Sequence, residues 1–441
     1  RAAFTQAQPN EFELDPRQKN HFDQLAACLS KQGILPGHII HAWHLVNDQR
    51  KTARSKKSPA KPLADSMAKG LFSLAYLTGS LQSIAPAHPF LLTLLTEAGQ
   101  CVTGEEQLRP EAAIDISAIK VLAQEHPAIQ CRSIDVRVKD LRGWQYQRLK
   151  DRLLEECCYP GSESELVVRG NRCWVPTISK MAASLATSRT LQPVLRQQGT
   201  YLITGGLGNI GLLIAQFLVQ KVDANVVLLS RSHFPAMDEW VDYLVEHNAD
   251  DSIALKIKHL QAIQKIGGNL LILRGDVCNQ KEMTECLALV QSRFGKLHGV
   301  FHGAAASADN TFLSVTETTP ESAGAILAAK TQGVMVLDEA LASRQPDFCI
   351  LLSSLASVLG GIGFYAYAGA NGFMDRFVQQ HNQHSEIPWL SLNMDGWNSP
   401  GVAINPALSD EGDTTALFET VFGYLEKRDQ QPQQLLISAT P

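Results

Sequence analysis

Thr200-Tyr-Leu-Ile-Thr-Gly-Gly-Leu-Gly-Asn-Ile-Gly211, running into Leu212–Val222, decides the fold. An apolar run of strand length meets glycines spaced G-x-G-x-x-G (Gly206, Gly208, Gly211), and an apolar segment of helix length follows. In that setting the glycines allow a tight turn and the close approach of a pyrophosphate. The helix N-terminus then offers free N–H groups to the anion. Thr204, Gly206, Leu207, Gly208, Asn209, Ile210 and Gly211 are the residues set against such a ligand. Outside a strand–turn–helix setting, the same glycines would be an ordinary turn.

Downstream, Asn225–Ser232, Gly268–Val277, Leu297–Ala306 and Pro346–Leu352 read as further buried strands, with helical stretches between them. Five strands alternating with helices make a parallel, doubly wound sheet the economical reading. The second strand ends in Ser230-Arg231-Ser232, where an NAD site would carry an acid for the ribose 2′-hydroxyl. An acid would repel a 2′-phosphate, whereas Arg pairs with one bidentately, so the cofactor expected is NADPH. An exposed charge at a strand end is the plainer account of Arg231. Asp276-Val277 closes the third strand, and His302-Gly303-Ala304 closes the fourth with small residues against which a cofactor can lie.

The fifth strand leads into Leu351-Leu-Ser-Ser-Leu-Ala-Ser-Val-Leu-Gly-Gly-Ile-Gly-Phe-Tyr-Ala-Tyr-Ala-Gly-Ala-Asn371. Ser354 precedes Tyr367 by 13 residues (367 − 354), and Asn371 follows it by four. Residues i and i+4 share a helix face, so Tyr367 and Asn371 can point into one site that a hydroxyl at the strand end also reaches. Two such hydroxyls can donate to one carbonyl oxygen, as the reduction of a ketone requires. A buried strand and helix with incidental polar residues would look the same. Ala325–Leu341 reads as one helix carrying Lys330, either a snorkelling surface lysine or an ammonium that lowers the Tyr367 pKa.

The first half also alternates strand and helix, with Arg17–Lys31, Ser66–Ser83, Ile116–Glu125 and Gln145–Cys158 helical. Asp15-Pro16 reads as the cap of the first of these, and Gly37–Leu45, Phe90–Leu95, Ile134–Val138 and Glu165–Val175 as strands. It has no glycine-rich phosphate loop and no convergent catalytic residue types, so its expected role is to brace a neighbour. An opening strand–helix unit is expected before Phe12 and is not read there. His38, His41 and His44 sit three apart, which on a strand turns His41 away from the other two and makes a metal site a poor reading. Arg50–Lys61 reads as a solvated basic loop. The expected boundary divides 1–194, a truncated Rossmann-like structural subdomain, from 195–441, the complete nucleotide-binding one.

The 441 residues are 45% hydrophobic and 19% charged, as in ordinary globular proteins, and the net charge of −5 gives no support for a nucleic-acid or membrane partner. None of the nine cysteines forms a C-x-x-C pair, which argues against a zinc ribbon and fits a reducing cytoplasm. The chain opens on Arg1 rather than Met and is read as part of a longer polypeptide.

Together, Thr204–Gly211, Leu229–Ser232, Gly275–Val277, His302–Ala305, Ala329-Lys330, Ser353-Ser354, Tyr367–Asn371 and Ser391–Asn393 resemble the ketoreductase domain of modular type I polyketide synthases, a branch of the short-chain dehydrogenase/reductases. Other short-chain dehydrogenases place the lysine four after the tyrosine. In these ketoreductases lysine and asparagine exchange places, as Lys330 and Asn371 do here. In the first half, Thr103–Glu106 and Gln124–Val136 resemble the family's structural subdomain.

The resemblance implies reduction of a β-ketoacyl chain held by phosphopantetheine on an acyl carrier protein, beside neighbouring synthase domains. It makes Tyr367 the proton donor and Ser354 the holder of the ketone oxygen, with Lys330 and Asn371 tuning the tyrosine. The sequence departs from the family in three places. Ser307-Ala308-Asp309 stands where B-type enzymes carry Leu-Asp-Asp, Leu359 where A-type enzymes carry Trp, and Asn393-Met394 where Asn-Trp is frequent. Asp309, Leu359 and Met394 are thus the expected substrate-orienting positions, and B-type reduction to a D-hydroxyl is expected. Residues after Trp397 should form a lid and last helix, and Gln434–Ser438 the closing strand. Two alternatives remain: a non-reducing domain that is architectural or epimerising, which would typically lose the tetrad or the cofactor loop, and a free-standing dehydrogenase, which would not need the brace.

Overall fold

The structure, a computed structural model, describes residues 3–8, 10–45, 60–137, 146–158, 161–180, 194–306, 312–395, 411–426 and 433–438. Strands β1 (Thr5–Gln8) and β2 (Glu11–Glu13) form an antiparallel hairpin, for which the polar sequence carries no period-two signal. Then come α1 (Lys19–Lys31), β3 (His38–His41), α2 (Ala60–Met67), α3 (Ser73–Ile84), β4 (Phe90–Glu97), α4 (Pro110–Glu125), β5 (Ile129–Val136), α5 (Tyr146–Cys158), β6 (Glu165–Arg169) and β7 (Arg172–Trp174). The rest of the chain holds β8 (Thr200–Thr204), α6 (Asn209–Val222), β9 (Asn225–Ser230), α7 (Trp240–Glu246), α8 (Ser252–Ile266), β10 (Asn269–Arg274), α9 (Gln280–Phe294) and β11 (Gly299–His302). It continues through α10 (Pro320–Lys330), α11 (Gln332–Leu341), β12 (Phe348–Ser354), α12 (Ala356–Leu359), α13 (Tyr365–Asn382), β13 (Trp389–Met394), α14 (Glu411–Leu425) and β14 (Gln434–Ile437).

Two compact units result, and they interleave along the sequence. One comprises Arg1–Ser179, Ala306–Ala328 and Ser354–Gln383; the other comprises Lys180–Ala305, Ala329–Ser353 and His384–Pro441. The first holds a five-stranded sheet in the order β3-β4-β5-β6-β7, parallel except for the final hairpin. Glu106 and Asp135, from the two stretches that carried part of the resemblance, form a buried knot there with Arg169. Arg169 bridges the Glu106 and Asp135 carboxylates at 3.1 and 2.7 Å. Burial pushes the Glu106 carboxyl up, but backbone N–H groups and Arg169 outweigh it and hold the pKa at about 2. These charges are spent on holding the chain together.

The second unit holds a seven-stranded sheet, β10-β9-β8-β11-β12-β13-β14. The pairs from β10 through β12 are all parallel. Strand order reverses between β8 and β11, the switch point at whose carboxyl ends doubly wound sheets bind ligands. Phe217, Phe301, Phe348 and Phe422 pack within its core, with ring centroids 5.6–6.2 Å apart for Phe301–Phe348 and Phe301–Phe422.

Several expected elements differ. Asp15 does not cap α1, whose N-cap is Gln18 without a side-chain bond; Asp15 pairs with Arg17 instead. Gly37–Leu45 is a strand only through His41 and then turns into a 3₁₀ segment, Trp43–Leu45. The helix over Ser66–Ser83 contains a π-helical turn at Ala68–Phe72, where Gly70 lies against the Asp115 carboxylate. Ala325–Leu341 is two helices. His302 Nε2 donates to the Ala329 carbonyl at 3.0 Å, an acceptor the continuing helix would have used, and Thr331 becomes the N-cap of α11 with its φ stretched to −113°. The sheet also gains β13 from a motif expected only as a site wall, while Gln434–Ile437 is its closing strand. The basic loop after Arg50, the residues around Trp397 and most of the expected lid lie outside the described residues.

Candidate active site

In the first unit, Ser354 ends β12, a short turn of helix follows, and α13 begins at Tyr365. The phenol of Tyr367 is pushed upward by burial and pulled back by side-chain hydrogen bonds from Ser354 and Asn371, with burial the larger influence. Tyr367 is therefore protonated at neutral pH. Asn371 is fully buried, and its Nδ2 donates to the Tyr367 carbonyl at 2.8 Å, one turn back. Ser357 Oγ donates to Asp375 at 2.6 Å and so ties α12 to α13. The structure thus brings together Ser354, Tyr367 and Asn371, as their spacing predicts.

α13 is held by close packing. A Cβ on Gly372 would lie 2.2 Å from Ser117 Oγ and 2.8 Å from the Ala113 carbonyl, both on α4. α4 therefore approaches α13 as near as the backbones allow, and the tyrosine's position follows from that contact.

In the second unit, the turn after β8 is made at Gly205, whose φ is +68°. The sequence pattern named its three neighbours and passed over this glycine; the double Gly at 205–206 was the signal. A Cβ on Gly205 would lie 2.7 Å from the Gly303 carbonyl, so the tips of β8 and β11 touch. A Cβ on Gly211 would lie 2.7 Å from Gly206, which packs α6 onto the loop. Gly208 caps α6 with no side-chain bond, and Gly208 and Asn209 are exposed, so the first N–H groups of the helix face outward uncapped. Leu207 turns into the core. Arg231 and Ser232 are exposed beyond β9, and Arg274, paired with Ser230 on the next strand, donates from Nε to the Arg231 carbonyl at 3.4 Å. Asp276 Oδ1 accepts from the Cys278 N–H, which folds the end of β10 back, and Val277 is buried.

Thr204 and His302 are tied to each other. Ala329's carbonyl can only accept, so His302 carries its proton on Nε2 and its Nδ1 accepts from Thr204 Oγ1 at 2.8 Å. Burial, with Lys330 nearby, lowers the His302 pKa to about 3. Lys330 is buried, and its Nζ donates to the Leu352 carbonyl at 3.1 Å, which excludes the snorkelling surface lysine. Met394 is in the core of this unit, and its neighbour Asn393 donates to Ser353 at 3.1 Å. Leu359, in the first unit, is 58% exposed. Asp309 lies outside the described residues. His38 and His41 are partnered by Thr93 and Ser73, and His44 by Asp115. Among the described residues, no group of His, Cys, Asp or Glu is arranged to hold a metal ion, and no helix is long and apolar enough to cross a membrane.

Comparison with known proteins identifies the family of the chain. Residues 199–399 match the KR domain family, and residues 2–156 match the family described as beta-ketoacyl synthase-like, N-terminal. The chain belongs to the polyketide synthase ketoreductases. It is 32% identical over 236 residues to 6-methylsalicylic acid synthase of Aspergillus terreus, an alignment covering 52% of this chain and 13% of that protein. It is 30% identical over 312 residues to a phenolphthiocerol/phthiocerol polyketide synthase of Mycobacterium tuberculosis, covering 71% and 16%. The chain thus spans a small fraction of the length of these relatives. Its fold is similar to an N-terminal ketoreductase from the macrolactin assembly line (TM-score 0.73, 22% identity, 98% of this chain and 79% of that one). It is also similar to an adenylation, ketoreductase and pseudo Asub multidomain structure of a keto acid-selecting NRPS module (TM-score 0.81, 20% identity, 99% and 34%).

Ketoreductases of this type are NAD(P)-dependent oxidoreductases. This ketoreductase fits such a cofactor: the turn at Gly205 leaves no side chain over the loop, and α6 presents uncapped N–H groups at the switch point.

Proposed function

We propose that this ketoreductase uses NADPH to reduce the β-keto group of an acyl thioester carried on an acyl carrier protein, giving a D-configured β-hydroxyacyl thioester. The observation that carries the reading is the buried Tyr367 phenol, hydrogen-bonded by the side chains of Ser354 at the end of β12 and of Asn371 one turn on along α13. In this reading, Tyr367 gives its proton to the ketone oxygen as charge develops there, and Ser354 donates a second hydrogen bond to that oxygen. Asn371 fixes the tyrosine through the helix backbone, and Lys330, buried and bonded to the Leu352 carbonyl, is the fourth residue of the expected tetrad. NADPH supplies the hydride. Gly206, Gly208 and Gly211 admit its pyrophosphate, and Arg231, with Arg274 at the neighbouring strand end, takes the 2′-phosphate. Thr204 and His302 act by bracing the ends of β8 and β11. The absence of Trp at Leu359 favours the B-type outcome. The test is an assay of NADPH oxidation with a β-ketoacyl N-acetylcysteamine or acyl-carrier thioester, with chiral analysis of the alcohol. Reduction to the L-alcohol would overturn the stereochemical part, and preference for NADH would overturn the role of Arg231.

A further inference from the structure

The loop Gly360-Gly-Ile-Gly363 immediately precedes α13. Gly360, Gly361 and Gly363 all have positive φ, +79°, +137° and +82°. Three such glycines give a loop with little preference of its own, and ordering it costs more backbone entropy than any other composition. Something outside the loop must hold it. The C-terminal turn of α4 does so, using side chains within the same compact unit. Gln124 Nε2 donates to the Leu359 carbonyl at 2.8 Å, and its Oε1 accepts from the Gly361 N–H at 2.6 Å. Lys120 Nζ donates to the Val358 carbonyl at 3.2 Å.

Glu125 reaches two segments at once. Its Oε1 accepts from the Gly363 N–H at 2.8 Å, and its Oε2 accepts from the Val315 N–H at 2.8 Å. The two segments also bond directly, Leu313 N–H to the Gly363 carbonyl at 2.7 Å. Phe312 packs on Phe364 at 4.7 Å, and Phe364 on Tyr367 at 5.3 Å, so the clamp passes through an aromatic row to the tyrosine. An open cavity of about 430 Å³ lies between them, lined by Gln124, Glu125, Phe312, Leu313 and Ile362. Phe312 and Ile362 are largely exposed, an apolar rim that the clamp holds in place.

We propose that Glu125, with Gln124, is a positioning pair for the reduction. By joining the loop before Tyr367 to the segment at Leu313–Val315, it fixes which face of the ketone is presented. This inference rests on the proposed reductase activity, and its test has two arms. In Glu125→Gln the side chain keeps its size but has one acceptor oxygen where two N–H groups need one each. The expected result is a minor alcohol enantiomer at least tenfold more abundant than in wild type, with NADPH affinity unchanged within twofold. Glu125→Asp, shorter by one methylene, should fail in the same way. A loss of total rate with an unchanged enantiomer ratio would show a merely structural role and overturn the proposal. The second arm is hydrogen–deuterium exchange of the full chain, which needs no turnover. Glu125→Gln should speed exchange in peptides covering 313–316 and 358–366 together. Acceleration in neither or only one would overturn the clamp. A wild-type protein that binds NADPH but reduces no β-ketoacyl thioester would refute the reductase reading, while the exchange arm would still decide the clamp.

Discussion

A phenol that donates a proton must be charged with it beforehand and must release it under the field of a nearby donor. Burial keeps Tyr367 protonated, and Ser354 and Asn371 pull against burial. Replacing Ser354 with Ala removes one of those bonds, so the phenol pKa should rise further and kcat should fall by about 10²-fold, with KM for NADPH unchanged. Steady-state kinetics on the two substrates separates these effects. Arg231→Ala should raise KM for NADPH about tenfold or more and leave KM for NADH nearly unchanged, because only the first carries the 2′-phosphate. His302 makes a prediction on stability. Its folded pKa of about 3 lies below the ordinary 6.5 of an unfolded chain. Between these values the unfolded state binds a proton that the folded state refuses, so stability is full above pH 6.5 and falls as pH drops toward 3. The loss is ~1.4 kcal/mol per unit, or ~2 kcal/mol at pH 5. Denaturant melts at pH 7 and pH 5 should show it, and His302→Gln should shrink the difference by that share, leaving the part due to His41, whose pKa burial also lowers to about 3. At this scale Tyr367, Asn371 and Ser354 were legible because 13- and four-residue spacings on a strand–helix unit constrain direction. The bracing role of His302 was not, because it depends on a contact with Ala329 made only in the folded chain.

Elements place these residues, and the contact between α4 and α13 is the tightest argument. A methyl on Gly372 would collide with Ser117 and the Ala113 carbonyl. Gly372→Ala should therefore cost about 1–3 kcal/mol of stability and reduce turnover, since α13 carries the tyrosine. Thermal melts and activity measured on the same preparation would show whether the two fall together. The strands themselves followed from apolar runs ending in glycine or small residues, which is why β8 to β12 could be read as strands of a parallel sheet, while their order comes from the fold. The break between α10 and α11 could not, since Ala325–Leu341 holds good helix formers and the interruption comes from His302 on another element. The hairpin of β1 and β2 escaped for a related reason: both strands are nearly fully exposed, so no alternation marks them.

Across the whole molecule, composition and motif suggest a boundary near residue 194, and the compact units interleave along the chain and group α13 with the first unit. No local signal carries that grouping. It arises from glycine-mediated packing that one helix's sequence cannot announce. It does predict how a distant defect behaves. Leu122, on α4, is fully buried, and Leu122→Ala should destabilise by about 2–5 kcal/mol. On warming, the variant should lose turnover before it loses NADPH binding, whose loop belongs to the other unit; activity and nicotinamide fluorescence followed over temperature distinguish the two. The central claim is more direct: a protonated Tyr367 delivers the proton in an NADPH-dependent reduction. The decisive measurement is NADPH consumption with a β-ketoacyl thioester by wild type and Tyr367→Phe, each shown to be folded and to bind NADPH. The account predicts one β-hydroxyacyl thioester per NADPH in wild type and a rate at least ~10²-fold lower in the variant. No turnover by wild type with cofactor bound, or undiminished turnover by Tyr367→Phe, would contradict it.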